Sequence, residues 1–210
     1  MSKGVLTVVS GFSGAGKGTV MKRLIQKYDD YALSISVTTR NPREGERDGI
    51  EYFFKTKEEV ESMIENDEFL EYARYVDNYY GTPRFYVEEM LAKGKNVILE
   101  IEIQGAMQIK AKNPEAVLVF VTPPSFEELR NRLIGRGTET ADVIESRLRR
   151  ASEEAEGMPS YHYILVNDQV EDCVDRLHQI ILSERAKAQR NEEFINTIQQ
   201  EARIFMKGDK

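Results

Sequence analysis

The segment Gly11-Phe-Ser-Gly-Ala-Gly-Lys-Gly-Thr19 constrains this chain more than any other stretch. It follows a short β-branched apolar run, Val5 to Ser10, and leads into a stretch of helical character, Lys17 to Tyr28. The glycines let several backbone N–H groups converge on one point, and the N-terminus of the helix adds the positive end of its dipole there. Lys17 brings a side-chain cation that reaches β- and γ-phosphate oxygens. Strand, glycine-rich turn and helix in that order are the context a phosphate-binding P-loop requires. Gly11, Phe12, Ser13, Gly14, Ala15, Gly16, Lys17, Gly18 and Thr19 are therefore the expected cradle of a nucleoside triphosphate. One position departs from the motif: Gly18 stands where a Ser or Thr usually follows the lysine, and the hydroxyl comes one place later, at Thr19. The protein ligands of a metal stay open at this point. Mg²⁺ keeps several of its waters and is readily held through phosphates and bridging water.

Further buried-strand patterns recur at Asn96 to Ile101, Val117 to Thr122 and Tyr163 to Asn167. Helix-like stretches lie between or beside them at Arg84 to Lys93, Ser125 to Leu133 and Ala141 to Glu156. Short apolar strands alternating with helices imply an α/β fold: a parallel core sheet flanked by helices. Residues 34–81 break the rhythm with short alternating segments at Ile35 to Thr39, Tyr52 to Phe54 and Phe69 to Tyr75, and read as an inserted, partly antiparallel lobe. Gly135 to Thr140, with two glycines beside arginines, reads as a flap, and from Val170 onward the pattern is helical and charged.

At 210 residues and 40% hydrophobic content the chain suits one compact unit with insertions. Its formal net charge of -7 argues against a protein that grips a nucleic-acid backbone, so a bound anion must be held by local cations. Cys173 is the only cysteine, and His162 and His178 are the only histidines, which leaves carboxylates, Arg and Lys to carry the chemistry. The start of the chain has no cleavage-type region and no stretch approaches the roughly 20 apolar residues of a membrane span, so a cytoplasmic protein is expected.

A P-loop alone leaves the acceptor unknown. Thr38-Thr-Arg40-Asn-Pro-Arg43 sets two guanidinium groups around a proline turn, a fork suited to a phosphate, although each arginine read singly is equally a solvated loop residue. Tyr52 and Tyr80 read singly as strand packing, and Glu71 as a carboxylate on a strand face. Arg132 and Arg136 lie four apart with Arg147 on the next helix, either as a cluster around an anion or as surface charge paired with Glu127, Glu128 and Glu145. Arg149 and Arg150 read as a solvated face.

In combination these segments resemble the guanylate kinase family. Ser36-Val-Thr-Thr-Arg-Asn-Pro-Arg-Glu-Gly-Glu46, Gly49-Ile-Glu-Tyr-Phe-Phe, Glu68-Phe-Leu-Glu-Tyr-Ala and Asn78-Tyr-Tyr-Gly-Thr82 occur in the family's order, followed by Val97-Ile-Leu-Glu-Ile-Glu-Ile-Gln-Gly105, Leu133-Ile-Gly-Arg-Gly-Thr-Glu139 and Tyr163-Ile-Leu-Val-Asn-Asp168. The resemblance runs from about Gly4 to about Arg185. It implies the P-loop nucleoside monophosphate kinase fold: a core of about 1–33, 83–133 and 148–210, a GMP-binding lobe of about 34–82 and a lid of about 134–147. It implies transfer of the γ-phosphoryl group of ATP, as Mg-ATP, to GMP. On this resemblance Arg40, Arg43, Tyr52 and Tyr80 form the GMP phosphate clamp, Ser36, Glu71 and Thr82 read guanine, and Glu100 is the acidic residue near acceptor and metal, where many members have Asp. Arg132, Arg136 and Arg147 go to the ATP phosphates and transition state together with Lys17, and Asn167 to adenine. Two rivals are weaker. A scaffold module that binds a peptide with the same fold does not explain Lys17 and the full set of lid arginines, and a GTPase switch lacks its Asn-Lys-x-Asp motif here. The oligomeric state stays open.

Overall fold

The structure of the protein is a computed structural model, and it describes residues 3–135 and 140–208. The chain opens with β1 (Leu6–Gly11) and α1 (Lys17–Lys27) and returns as β2 (Tyr31–Leu33). It then leaves the core for β3 (Val37–Thr38), β4 (Phe53–Phe54), α2 (Lys57–Glu65) and the hairpin β5 (Phe69–Tyr75) and β6 (Asn78–Pro83). Next come α3 (Arg84–Ala92), β7 (Asn96–Glu100), α4 (Ile103–Lys112), β8 (Val117–Thr122) and α5 (Phe126–Gly135). The chain ends with α6 (Ala141–Glu156), β9 (Tyr163–Val166), α7 (Val170–Arg185) and α8 (Glu192–Gly208).

Five strands form a parallel sheet in the order β2-β7-β1-β8-β9. Val8, Val9, Val97, Ile98, Leu99 and Val117 to Val121 are all buried, because a parallel sheet is covered on both faces and its strands read as continuous apolar runs. Helix α1 contributes Val20, Met21 and Leu24, and α7 contributes Cys173, Val174, Leu177 and Ile181 to the same core. The observed α/β layering agrees with the alternation in the sequence.

The second sheet has the order β4-β3-β6-β5 and a small core of its own, built on Val37, Val60, Met63 and Phe69. Here β3 runs parallel to β4 and antiparallel to β6. Helix α2 starts on a capping box, with the Thr56 hydroxyl accepting from the Glu59 N–H and the Glu59 carboxylate accepting from the Thr56 N–H. The sequence reading does not single out α2 or α4. Both are short and have small, interrupted apolar stripes, which the strand-like segments around them mask. Helix α5 also runs two residues beyond the expected Leu133, to Gly135. Most of the expected flap, together with Arg136, lies outside the described residues. Helix α8 carries Phe194, Ile198, Ile204, Phe205 and Met206 exposed. Among the described residues no helix is long and apolar enough to cross a membrane.

Candidate active site

The glycine-rich turn is built as its composition requires. Gly11, Gly14 and Gly16 have φ of 145°, 97° and 87°, the region L side chains rarely adopt. At Gly11 a Cβ would stand 2.1 Å from the Val121 carbonyl oxygen, so β8 passes too close for any side chain. At Gly16 it would stand 2.5 Å from Asn167 Nδ2. That amide is there because Asn167, buried after β9, donates to the Ala15 carbonyl at 2.8 Å and braces the turn from below. Its Oδ1 is buried without a hydrogen-bond partner among the described residues. Lys17 donates to the Gly11 and Phe12 carbonyls at 2.7 and 3.1 Å, which holds its ammonium over the turn. Gly18 and Thr19 are exposed at the start of α1.

Two of the three lid arginines are described. Arg132, on α5, donates from Nε to Glu128 at 2.7 Å and from Nη2 to the Asn167 carbonyl at 3.0 Å. The surface-charge pairing with Glu128 therefore exists, and the same side chain also bridges to the residue that braces the turn. Arg147, on α6, donates to the Ser13 hydroxyl at 3.2 Å and so reaches the glycine-rich turn.

In the inserted lobe, pairing of β5 with β6 sets Glu71 beside Thr82. Both are buried, and the Thr82 hydroxyl donates to Glu71 Oε1 at 2.6 Å. Burial raises the Glu71 carboxyl above its ordinary range, and the hydrogen bonds from Thr82 offset part of that rise. The other oxygen faces α4 at Gly105, where a Cβ would stand 3.0 Å away, so a glycine leaves room for the carboxylate. Glu71, Ser36, Tyr52 and Tyr80 line one cavity of about 390 Å³. Arg40 stands over the Tyr52 ring at 5.4 Å, and Arg43 is exposed.

A second cavity of about 670 Å³ is lined by Gly11, Ser13, Lys17 and Arg147. The two cavities share Tyr52, Tyr75, Glu100, Ile101 and Glu102, and so are contiguous at the end of β7. Glu100 is exposed by surface area, yet dense protein around the cleft limits its hydration. That desolvation raises its carboxyl, and the nearby Lys17 charge pulls it partly back. Among the described residues no group of three or more His, Cys, Asp and Glu side chains is placed to cage a metal. A single carboxylate beside a phosphate cradle is instead the donor set that suits Mg²⁺, which takes one or two carboxylates plus phosphate oxygens and keeps its waters.

Three residues in or beside the cleft were given no role in the sequence reading. Arg150 is exposed, as the sequence reading has it, and it also borders the larger cavity and donates to Glu102 at 2.8 Å and to Glu154 at 3.1 Å. Glu102 borders both cavities. Glu46 receives Arg40 in an ion pair at 2.9 Å. Its signal in the sequence was its position three residues after Arg43, within reach of that residue's backbone.

The guanylate kinase family model matches residues 3–184. The chain is 53% identical over 188 residues to a guanylate kinase of Oceanobacillus iheyensis, covering 90% of this chain and 91% of the relative. It is 54% identical over 189 residues to a guanylate kinase of Bacillus cereus, covering 90% and 92%. The crystal structure of guanylate kinase from Anaplasma phagocytophilum is similar with a TM-score of 0.69 at 35% identity, covering 90% of each chain. With the fold in agreement with these matches, the chain belongs to the guanylate kinase family.

Proposed function

We propose that this chain transfers the γ-phosphoryl group of ATP to GMP, giving ADP and GDP, in the cytoplasm. The observation that carries the reading is the continuity of the two cavities at Glu100: one is lined by the phosphate turn and the other by a buried carboxylate with hydroxyl neighbours. A donor and an acceptor bound in them meet end to end.

In this reading the turn from Gly11 to Thr19 takes the ATP phosphates and Lys17 exchanges its carbonyl partners for phosphate oxygens. Arg132, Arg136 and Arg147 bear on the transferring group. The transition state of phosphoryl transfer is loose and spreads negative charge over equatorial oxygens, so positioned cations and exclusion of water do most of the work. No protein nucleophile is required. Arg40, Arg43, Tyr52 and Tyr80 hold the GMP phosphate, while Ser36, Glu71 and Thr82 read the base. Asn167 acts on the adenine side of the turn it braces. Glu100 and, through water, Thr19 are the residues that would hold Mg²⁺. Held there, the ion would supply positive charge against the negative charge that develops on the transferring group. The core, the lobe over residues 34–82 and the lid over 134–147 close on the two nucleotides and keep water from the γ-phosphate.

The test is a coupled assay of ADP release from Mg-ATP with and without GMP. Strict dependence on GMP is expected. ADP release at the same rate without GMP, or with AMP in its place, would refute the reading.

A further inference from the structure

Arg40 is surrounded by protein groups before any nucleotide arrives. Its Nη2 donates to both Glu46 oxygens at 2.9 Å and its Nη1 donates to the Asn41 carbonyl at 2.7 Å. The guanidinium also stands over the rings of Tyr52 and Phe54, at 5.4 and 6.0 Å. The Glu46 carboxylate accepts a third hydrogen bond, from the Arg43 backbone N–H at 2.8 Å. The Arg40 and Glu46 side chains are only 16% and 17% exposed, so solvent screens the pair less than it screens the other ion pairs of this lobe. Hydrogen bonds from Arg43 and Arg40 hold the Glu46 carboxyl below its ordinary range, and the same pairing holds Arg40 in its charged form.

The arrangement admits two opposite consequences. As a negative charge beside a phosphate site, Glu46 repels the ligand, and its removal tightens binding. As the group that fixes the Arg40 plane and the Arg40–Arg43 turn, it sets the donors in place, and its removal weakens binding. Geometry favours the second. Glu46 accepts from Nη2, the Asn41 carbonyl accepts from Nη1, and the Tyr80 hydroxyl also pairs with the guanidinium, yet a group with five N–H donors keeps capacity for a phosphate without giving up the carboxylate. A five-donor planar group serves two anions at once, and a group held in its bound orientation loses less freedom when the ligand arrives.

We infer that Glu46 is a positioning residue for the acceptor phosphate: it orients the Arg40 guanidinium and ties it to the Arg43 backbone, so that the monophosphate meets a preformed clamp. The inference rests on the acceptor-site reading above. Its test is steady-state kinetics of E46Q, E46A, R40A and the R40A/E46A double variant, with GMP and ATP varied separately and thermal melts alongside. E46Q keeps the side-chain volume and one acceptor oxygen, but sets an amide N–H against either the Arg43 N–H or Arg40. E46Q and E46A are expected to raise KM for GMP by roughly 10- to 100-fold, the range for losing a charge-assisted hydrogen bond. KM for ATP should stay within about 2-fold, because the ATP loop is untouched. The double variant should be no worse than R40A alone, since Glu46 acts through Arg40. An unchanged or lowered KM for GMP in E46Q overturns the inference while R40A still raises it. Fully additive losses overturn it as well, by separating Glu46 from Arg40. If R40A leaves GMP use intact, the acceptor-site reading fails, which is a distinct outcome.

Discussion

Replacing Glu71 by Gln probes base selection with little change of shape. Guanine presents N1–H and the exocyclic N2 amine on one edge, two donors that a single carboxylate accepts together. The carboxylate has the capacity for this: Thr82 uses one lone pair of Oε1 at 2.6 Å, and Oε2 lies toward the cavity at Gly105. With E71Q one oxygen becomes an amine that faces a guanine donor or the Thr82 hydroxyl. The loss is one charge-assisted hydrogen bond, worth about 1.5–3 kcal/mol, together with part of the cost of an unsatisfied buried donor. We expect ~2–4 kcal/mol in transition-state binding, a fall of ~30- to 1000-fold in kcat/KM for GMP. For AMP the same change removes a mismatch, because adenine N1 is an acceptor and meets an amine in place of a carboxylate. The GMP over AMP preference should therefore narrow by at least the factor lost on GMP. The assay is ADP release at saturating Mg-ATP with each acceptor varied. Equal losses for GMP and AMP, leaving their ratio unchanged, would refute the idea that Glu71 reads the base.

Four further outcomes follow from the same geometry. K17A should keep the melting temperature and lose at least ~10²-fold in kcat, since it deletes the cation held over the phosphate turn; near-normal turnover would remove Lys17 from the site. In G16A the added Cβ would stand 2.5 Å from Asn167 Nδ2 at a φ of 87°, and we expect ~1–3 kcal/mol of lost stability and a raised KM for ATP, read by thermal melts and initial rates. Because burial raises the Glu71 carboxyl, its contribution to stability is full below the ordinary value of 4.5 and is lost as pH rises through the raised folded value; the melting temperature of E71Q relative to wild type should therefore increase from acid to neutral pH, and a difference independent of pH would contradict the desolvation argument. Burial pushes the Cys173 thiol up to about 11, so a thiol reagent at pH 8 should label it only on unfolding, and rapid labelling of the native protein would show that the face of α7 against the core opens.

The parts of this molecule that were legible in the sequence are those where local chemistry leaves few choices. A turn with three glycines at positive φ between a buried strand and a helix has one use, and β1, β7, β8 and β9 announced themselves as unbroken apolar runs because both faces of their sheet are covered. What the sequence hid depends on tertiary neighbours. Helix α4 has small residues at Gly105 and Ala106 where it meets the lobe and the core, and small residues carry little periodic signal. Arg150 is solvent-facing as read, but charge alone does not reveal that Glu102 meets it at 2.8 Å from a distant part of the chain. Glu46 had the same fate: its three hydrogen bonds exist because the chain turns at Glu44–Gly45, which returns Glu46 to Arg43. The pairing of Glu71 with Thr82 also needs the hairpin register, which a bulge between Phe69 and Glu71 shifts. A count of alternating residues puts Glu71 on a strand face without saying which face is buried.

The strand order explains why the two cavities fall together. β1 occupies the middle of the sheet, with β7 and β2 on one side and β8 and β9 on the other. All five strands are parallel, so every connection from a strand end emerges at the same edge, where ligands of open α/β sheets bind. β1 delivers the phosphate turn to the centre of that edge. The excursion through β3 to β6 leaves from β2 and returns through α3 to β7, so the second sheet is tethered to the β2–β7 flank. The helices α5 and α6 leave from β8 and rejoin at β9, which tethers the lid arginines to the opposite flank. Val9 pairs with Glu100, which puts the last residue of β7 one strand away from the turn that begins at Gly11. A carboxylate there necessarily lies between the phosphate turn and the inserted lobe, as the shared lining of the two cavities shows. Topology thus brings the two cavities to Glu100 from opposite flanks, and side chains such as Glu71 and Asn167 brace their walls through Thr82 and the Ala15 carbonyl.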